Sequence, residues 1–384
     1  MEVRQIYEFV NGTTREDLGL STVLEEDLRN IVDVGTDVIN NNAVDAYVKS
    51  LINRSGKVVF VNRAYAGSVP SVLMDAWQFG SVVEKIRGEL PEATENESWE
   101  LTDGTVYEEN IFYQPKVSAK FFNKKTTFEI PMSFTEMQVK QSFASAGELN
   151  AFISMLYNEI DKSMTLKTDS LIMRTINNAI AETVYSEYQN TPLTAKSGIR
   201  AIILLKLYND SFTKTLTAEQ AVKDRDFLRY AVYYMGIMKD RLNKMSTLFN
   251  VGGKARFTPD DMLHFVLLSE FARAADVYLQ SDTYHNEFVK LPKAEIVTYW
   301  QGSGTDYSFA NTSKIDVITA ENHNITVTGV LGVMFDRDCL GVTNVNRRVT
   351  SKYNAKAEFY NNWYKADAGY FNDFDENCIV FFVA

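Results

Sequence analysis

Apolar positions along this chain change period several times, and each change predicts an element. From Glu148 to about Gln189 they recur at helical spacing, with neither Pro nor Gly to interrupt them. Leu149, Phe152, Ile153, Leu156, Ile160 and Met164 mark one stripe, continued by Leu171, Ile172, Ile176, Ile180 and Val184. Such a helix is a rod on the order of 60 Å long, and Pro192 closes it. The stretch before it, from Gly56 to Met132, is strand-rich. Lys57–Val61 reads as a strand, and Thr105–Tyr113, Val117–Phe122 and Thr126–Ile130 as extended runs. The last two flank Asn123-Lys124-Lys125, which reads as a hairpin turn. A hairpin with so little accompanying core is marginal alone and needs something to lie on.

The first 55 residues read as short helices, one containing Leu24, Leu28, Ile31 and Val32 with Thr22 as its cap, and one from Ala43 to Ile52 after the Asn40-Asn41-Asn42 break. They hold too few apolar positions for a core and are expected to lie on another part of the molecule or on a neighbour. Beyond residue 193 the pattern is mixed. Thr217 begins a helix running to about Phe249 and ended by Gly252-Gly253. Thr258-Pro259-Asp260-Asp261 starts another, through Phe265, Leu268 and Phe271 to about Leu279. Short strands are expected at Glu295–Trp300, Ile315–Ile318 and Ile325–Met334. Two strong ones, Ala357–Tyr364 and Cys378–Val383, are joined by a turn-rich link containing Asp367, Gly369 and Asp373. The last of these is expected to tie the chain's end into a sheet. Compact enzymes rarely set so long a rod beside a sheet-edge excursion without matching core; proteins that tile a surface with their neighbours do.

Composition narrows this little. In 384 residues, 45% are apolar and 12% aromatic, enough for a packed core, so disorder is not the reading. The formal net charge of −11 disfavours a nucleic-acid-binding surface built from a basic patch. Two cysteines, Cys339 and Cys378, make no disulfide framework, and Cys378 in an apolar run reads as a small buried hydrophobe. Met1-Glu2-Val3-Arg4-Gln5 lacks the order of a signal peptide, and the Ala201–Leu205 aliphatic stretch is too short to span a bilayer. The expectation is a soluble protein made in a cytoplasm.

The search for chemistry comes back empty. His264, His285 and His323 share no metal-ligand spacing, and His264 is placed on the helix after Pro259. Phe249–Lys254 lacks the first Gly and the final Ser or Thr of a phosphate loop and reads as a helix end. Asp373-Phe374-Asp375-Glu376-Asn377 lacks the spaced ligands of a calcium loop and reads as a solvated turn. Glu95, Glu97 and Glu100 read as a solvated loop tip, and no nucleophile elbow is present. No cofactor, metal or catalytic residue is assigned.

Two passages carry a resemblance. Asn110-Ile111-Phe112-Tyr113-Gln114-Pro115-Lys116-Val117, followed by Phe121-Phe122-Asn123-Lys124-Lys125 and Phe128-Glu129-Ile130, looks like the loop-to-helix passage of small podovirus shells, the phi29-like group. Phe335-Asp336-Arg337-Asp338 through Tyr364-Lys365-Ala366-Asp367-Ala368-Gly369-Tyr370-Phe371-Asn372-Asp373 is similar to the closing part of such proteins. Over about residues 40 to 384 the order of elements resembles a tailed-phage major capsid protein of the HK97-like fold, without the C-terminal immunoglobulin-like domain that some members carry. The resemblance implies an α+β chain with an N-terminal arm (1–55) and an extended β-hairpin loop (56–140). A peripheral domain holds the spine helix and the closing strands (141–195 plus 346–384), and an axial domain is inserted (196–345). It implies no catalysis, but pentamers and hexamers in an icosahedral or prolate virion shell. A scaffolding protein and a portal are further partners, double-stranded DNA is faced without specific binding, and no membrane is involved. Trp77, Phe79, Phe121, Phe122 and Phe128 are the candidate inter-subunit contacts, being aromatic in segments without local core; the alternative is that these rings cover the chain's own long helix. Rival readings are a tail or connector component and an acidic soluble hydrolase.

Overall fold

In a computed structural model of the chain, the long helix spans Ala146–Tyr188, 43 residues, or about 65 Å. The structure describes residues 7, 10–20, 24–25, 30–40, 46–47, 50, 69–74, 83–88, 91, 93, 95–96, 99–107, 110–144, 146–189, 197–280, 294–302, 306–319 and 322–383. Of the expected features, Thr22, Leu28, the Lys57–Val61 strand, Trp77, Phe79, Glu97, Pro192 and His285 lie outside the described residues, as do the side chains of Leu149, Ile153 and Leu156.

The described elements begin with a π-helical turn at Gly12–Asp17 and α1 (Ile31–Asn40). Next come β1 (Leu73–Met74), β2 (Val83–Gly88), β3 (Val117–Phe122), β4 (Lys125–Thr135), α2 (Glu136–Ser142) and the long helix, α3. Then follow β5 (Ala201–Ile203), α4 (Leu204–Phe212), α5 (Ala218–Ala221), α6 (Arg225–Leu242), β6 (Leu263–Leu268), α7 (Ser269–Gln280), β7 (Glu295–Val297) and α8 (Phe309–Thr312). The chain closes with β8 (Ile315–Ile318), β9 (Asn324–Val327), β10 (Val330–Asp336), β11 (Leu340–Asn354), β12 (Phe359–Asn372) and β13 (Cys378–Phe382).

Two sheets flank α3. In the five-stranded one, ordered β5-β13-β10-β6-β7, every residue of β10 and β13 is buried. Alternate side chains serve opposite layers, as a strand's period of two requires. Cys378, Val380 and Phe382 join the cluster of Ile172, Ile176 and Ile180 from α3. Ile379 and Phe381 join that of Leu204, Phe227 and Phe271 from α4, α6 and α7. The sheet is thus the middle of three layers. The four-stranded sheet, ordered β1-β11-β12-β4, is mostly one hairpin of β11 and β12 with β4 along its edge. Tyr360, Tyr364 and Phe134 there pack with Phe152, Ile160 and Met164 from the first half of α3. Val10, Leu24, Ile31, Val34 and Val38 of the N-terminal stretch join the same cluster, so that stretch does lie on another part of its own chain.

Buried threonines on α3 are satisfied within it: Thr168, Thr175 and Thr183 donate to the carbonyls four residues earlier, at 2.8–2.9 Å. Its end is a left-handed Gln189, φ 51°, whose N–H donates to Tyr185 O.

Several expectations are corrected. The helix from Thr217 to Phe249 is two, because the Asp224 side chain accepts from Phe227 N and caps a new start. Gly252-Gly253 then belongs to a loop rather than to a helix end. The Thr258 hydroxyl caps no helix and donates to Asp336 at 2.7 Å; Leu263–Leu268 is strand, and the helix begins only at Ser269. His264 therefore sits on β6, stacked 5.7 Å from the Phe335 ring. Residues 105–107 and 110–113 pair with no strand. Ile325–Met334 is two strands separated around Gly329 (φ 77°). Lys365–Asn372, read as a turn-rich link, completes β12. Most consequential, Asn123-Lys124 joins no hairpin: β3 pairs with β2, and β4 with β12.

Candidate functional site: a ribbon with reversed faces

β2 and β3 form a two-stranded antiparallel ribbon of their own, with residues 89–116 between them. Residues directly opposite in an antiparallel pair point to the same side. One side therefore carries Lys85, Arg87, Ser118, Lys120 and Phe122, and the other Ile86, Ala119, Phe121 and Val117. An ordinary half-buried ribbon turns its apolar side inward. β4, the next strand, does so: Phe128, Ile130, Met132 and Phe134 face in while Lys125, Thr127, Glu129 and Ser133 face out. The ribbon is the reverse. Its charged side lies on the body, and Ile86, Val117 and Phe121 stand 64, 63 and 63% exposed.

The charged side is received by the turn between β12 and β13 and by Asp338. Lys85 Nζ lies 3.4 Å from Asp373 Oδ2, and Lys120 Nζ lies 3.1 Å from Asp373 Oδ1 and 2.5 Å from Asp375 Oδ2. Arg87 pairs with Asp338 at 3.1 Å and with Glu376. Lys85 also donates to the Asp338 carbonyl and sits 4.7 Å from the centre of the Phe371 ring; Phe122 packs on the same ring at 5.2 Å. The turn read as solvated is corrected here. Asp373 and Glu376 are 2 and 4% exposed and Asn377 is fully buried. Asn377 donates to the Thr258 hydroxyl at 3.1 Å, and the Phe374 carbonyl accepts from Gly252 N at 2.9 Å. A Cβ on Gly252 would meet the Asp375 carboxylate, which would have to move aside. Burial raises the Asp373 carboxyl, but Lys85 and Lys120 outweigh it and hold it below its usual range. Glu376 is pushed up, chiefly by burial.

Between the strands the described residues are open to solvent. Trp99, Val106, Phe112 and Tyr113 project with little cover, Trp99 at 95% exposure. Among the sequence candidates, Phe121 lies on the open side. Phe122 and Phe128 pack against their own chain, Phe128 on the cluster that includes Leu171 and Ile172. The charge pattern of Lys85, Arg87 and Lys120 could have signalled the reversal. Its partners, 251 or more residues away, could not be guessed.

Elsewhere, a cleft lined by Lys239, Asp260, His264 and Glu295 is the best candidate for chemistry. Burial lowers the His264 pKa. Asp260 is engaged by Lys239 and Asn243, both at 2.9 Å, and Glu295 by Ser71. Among the described residues no group of three or more His, Cys, Asp or Glu is placed to hold a metal, and no helix is long and apolar enough to cross a membrane. Cys339 and Cys378 are both buried thiols.

The family model for "Phi29-like phage major capsid protein" matches residues 10–382. The chain belongs to that family. This major capsid protein shares its fold with a chain in the capsid structure of Staphylococcus phage Andhra, at 10% identity and a TM-score of 0.51, covering 84% of this chain and 86% of that one. A chain in the capsid structure of cyanophage P-SCSP1u is 12% identical with a TM-score of 0.48, covering 84% and 89%. No curated protein matches. The capsid protein has the α+β, HK97-like fold expected from the sequence, forms the shell and resides in the virion; its role is structural.

Proposed function

We propose that the open side of the β2–β3 ribbon is a contact through which one capsid subunit grips the next. The reversal of its faces carries this reading: three apolar side chains, backed by charges turned to the body, leave most of their surface uncovered by their own chain. Exposed apolar patches of this kind mark interaction sites. Phe121 is the central anchor, with Trp99, Phe112 and Tyr113 extending the surface along the connecting loop. Trp77 and Phe79 belong to the same proposal on sequence grounds. The copies close heterologously into pentamers and hexamers, with 196–345 as the axial domain, 141–195 plus 346–384 as the peripheral one and α3 as its spine. A scaffolding protein and a portal complete the assembly, the acidic chain faces packaged double-stranded DNA without specific binding, and it does no catalysis.

The test is the double variant Ile86→Ser/Phe121→Ser, examined by negative-stain electron microscopy and thermal melting. The expected result is a subunit whose melting before assembly is unchanged and whose rings and shells fall below about a tenth of the wild-type yield, a loss that about 1.4 kcal/mol per contact produces. Shells of normal size and yield would sink the proposal.

A further inference from the structure

We propose that Asp373 positions the ribbon for that contact by holding apart two like charges, Lys85 and Lys120, in one bridge to the body of the subunit. The inference rests on the reading of the ribbon as an inter-subunit contact. Lys85 and Lys120 are direct cross-strand partners, and like charges directly opposite one another weaken a strand pair. A two-stranded ribbon has little pairing energy to lose. The pair is tolerated because one carboxylate faces both: Asp373 Oδ2 lies toward Lys85 and Oδ1 toward Lys120. The Asp373 and Lys85 side chains are only 2 and 14% exposed, so water replaces this bridge poorly.

Asp373 also comes from the turn between β12 and β13, and its N–H donates to Cys339 O at 2.6 Å. One group therefore secures both the pairing of β2 with β3 and the direction in which the ribbon leaves the subunit. The neighbouring links do not share this double duty. Arg87 meets Asp338, which is 44% exposed, and the buried Glu376, and Lys120 also meets Asp375; each of these links ties one strand alone to the body.

The experiment compares Asp373→Asn, Lys120→Met and Asp373→Asn/Lys120→Met in the full chain, by hydrogen exchange and electron microscopy. Asp373→Asn should speed exchange in 83–88 and 117–122 by about tenfold or more, leave β10 and β13 protected, and reduce closed shells in proportion. The double variant, relieved of the repulsion, should recover ribbon protection and shells to within about threefold of wild type. Lys120→Met alone should assemble normally, an outcome that does not depend on Asp373→Asn folding. If Lys120→Met does as much damage as Asp373→Asn, or if the double variant is no better than the single one, Lys120 is an anchor rather than a liability and the proposal is overturned. A loosened ribbon with unaltered shells also overturns it. The Ile86→Ser/Phe121→Ser result then distinguishes a contact that does not exist from one that needs no positioning.

Discussion

The five-stranded sheet and the β2–β3 ribbon solve the same problem in opposite ways. In the sheet, Phe381 and Phe335 are almost wholly buried, and apolar side chains on both faces are covered by helices of the same chain. In the ribbon, charge is turned to the body and apolar surface is left out. Burial of apolar area is the dominant favourable term in folding and in most association. A surface that withholds it from folding therefore has it available for a neighbour. Stability of the sheet is a property of the subunit, whereas on the proposed contact that of the ribbon becomes one of the assembly.

The largest effect should come from breaking the sheet. Phe381→Ala, removing a fully buried ring, should cost about 3–5 kcal/mol of subunit stability in denaturant unfolding, with assembly lost as a consequence of misfolding. Acid should act on the ribbon before it acts on the five-stranded sheet. Asp373 titrates below its ordinary value, so its contribution is fully present above about pH 4. It is lost as the pH falls from there through the lower folded value. Glu376, raised by burial, has the opposite sign: protonation relieves a cost at slightly higher pH. Lys85, Lys120, Arg87 and Arg256 face the two carboxylates. Hydrogen exchange should thus show the ribbon loosening below about pH 4 while β10 and β13 stay protected; simultaneous loss of both would erase the distinction. The smallest effect sharpens the contrast with ordinary surface pairs. Glu129, paired with Lys365 at 3.1 Å and 47% exposed, should cost no more than about 0.5 kcal/mol as Glu129→Gln, and shells should form as before.

The long helix was legible because apolar positions recur at helical spacing from Leu149 to Val184 with no Pro to interrupt them, and β4 because its alternation is clean. β11 was missed because a bulge lies between Asn344 and Asn346. Leu340 and Val342 face the core before it and Val349 and Tyr353 after it, so the inward set changes parity and no single alternation is visible. Leu263–Leu268 was read as helix because a strand buried on both faces shows no alternation at all. The candidate site was half legible. Aromatic content pointed to Phe121, but it pointed equally to Phe122 and Phe128, and only the pairing of β3 with β2 and of β4 with β12 separates the three.

By itself, the sequence determined a mixture of helices and strands, the rod of α3, the two strong closing strands and the lack of any recognisable catalytic motif. These follow from local periodicity and from the chemistry of neighbouring residues. Tertiary structure decided which strand β3 joins, that Asp373 and Glu376 are buried, and which side of the ribbon is left open. The reason is physical. Lys85 and Lys120 meet Asp373 across more than 250 residues of chain, and whether a charge faces water or a partner depends on what the fold brings to it.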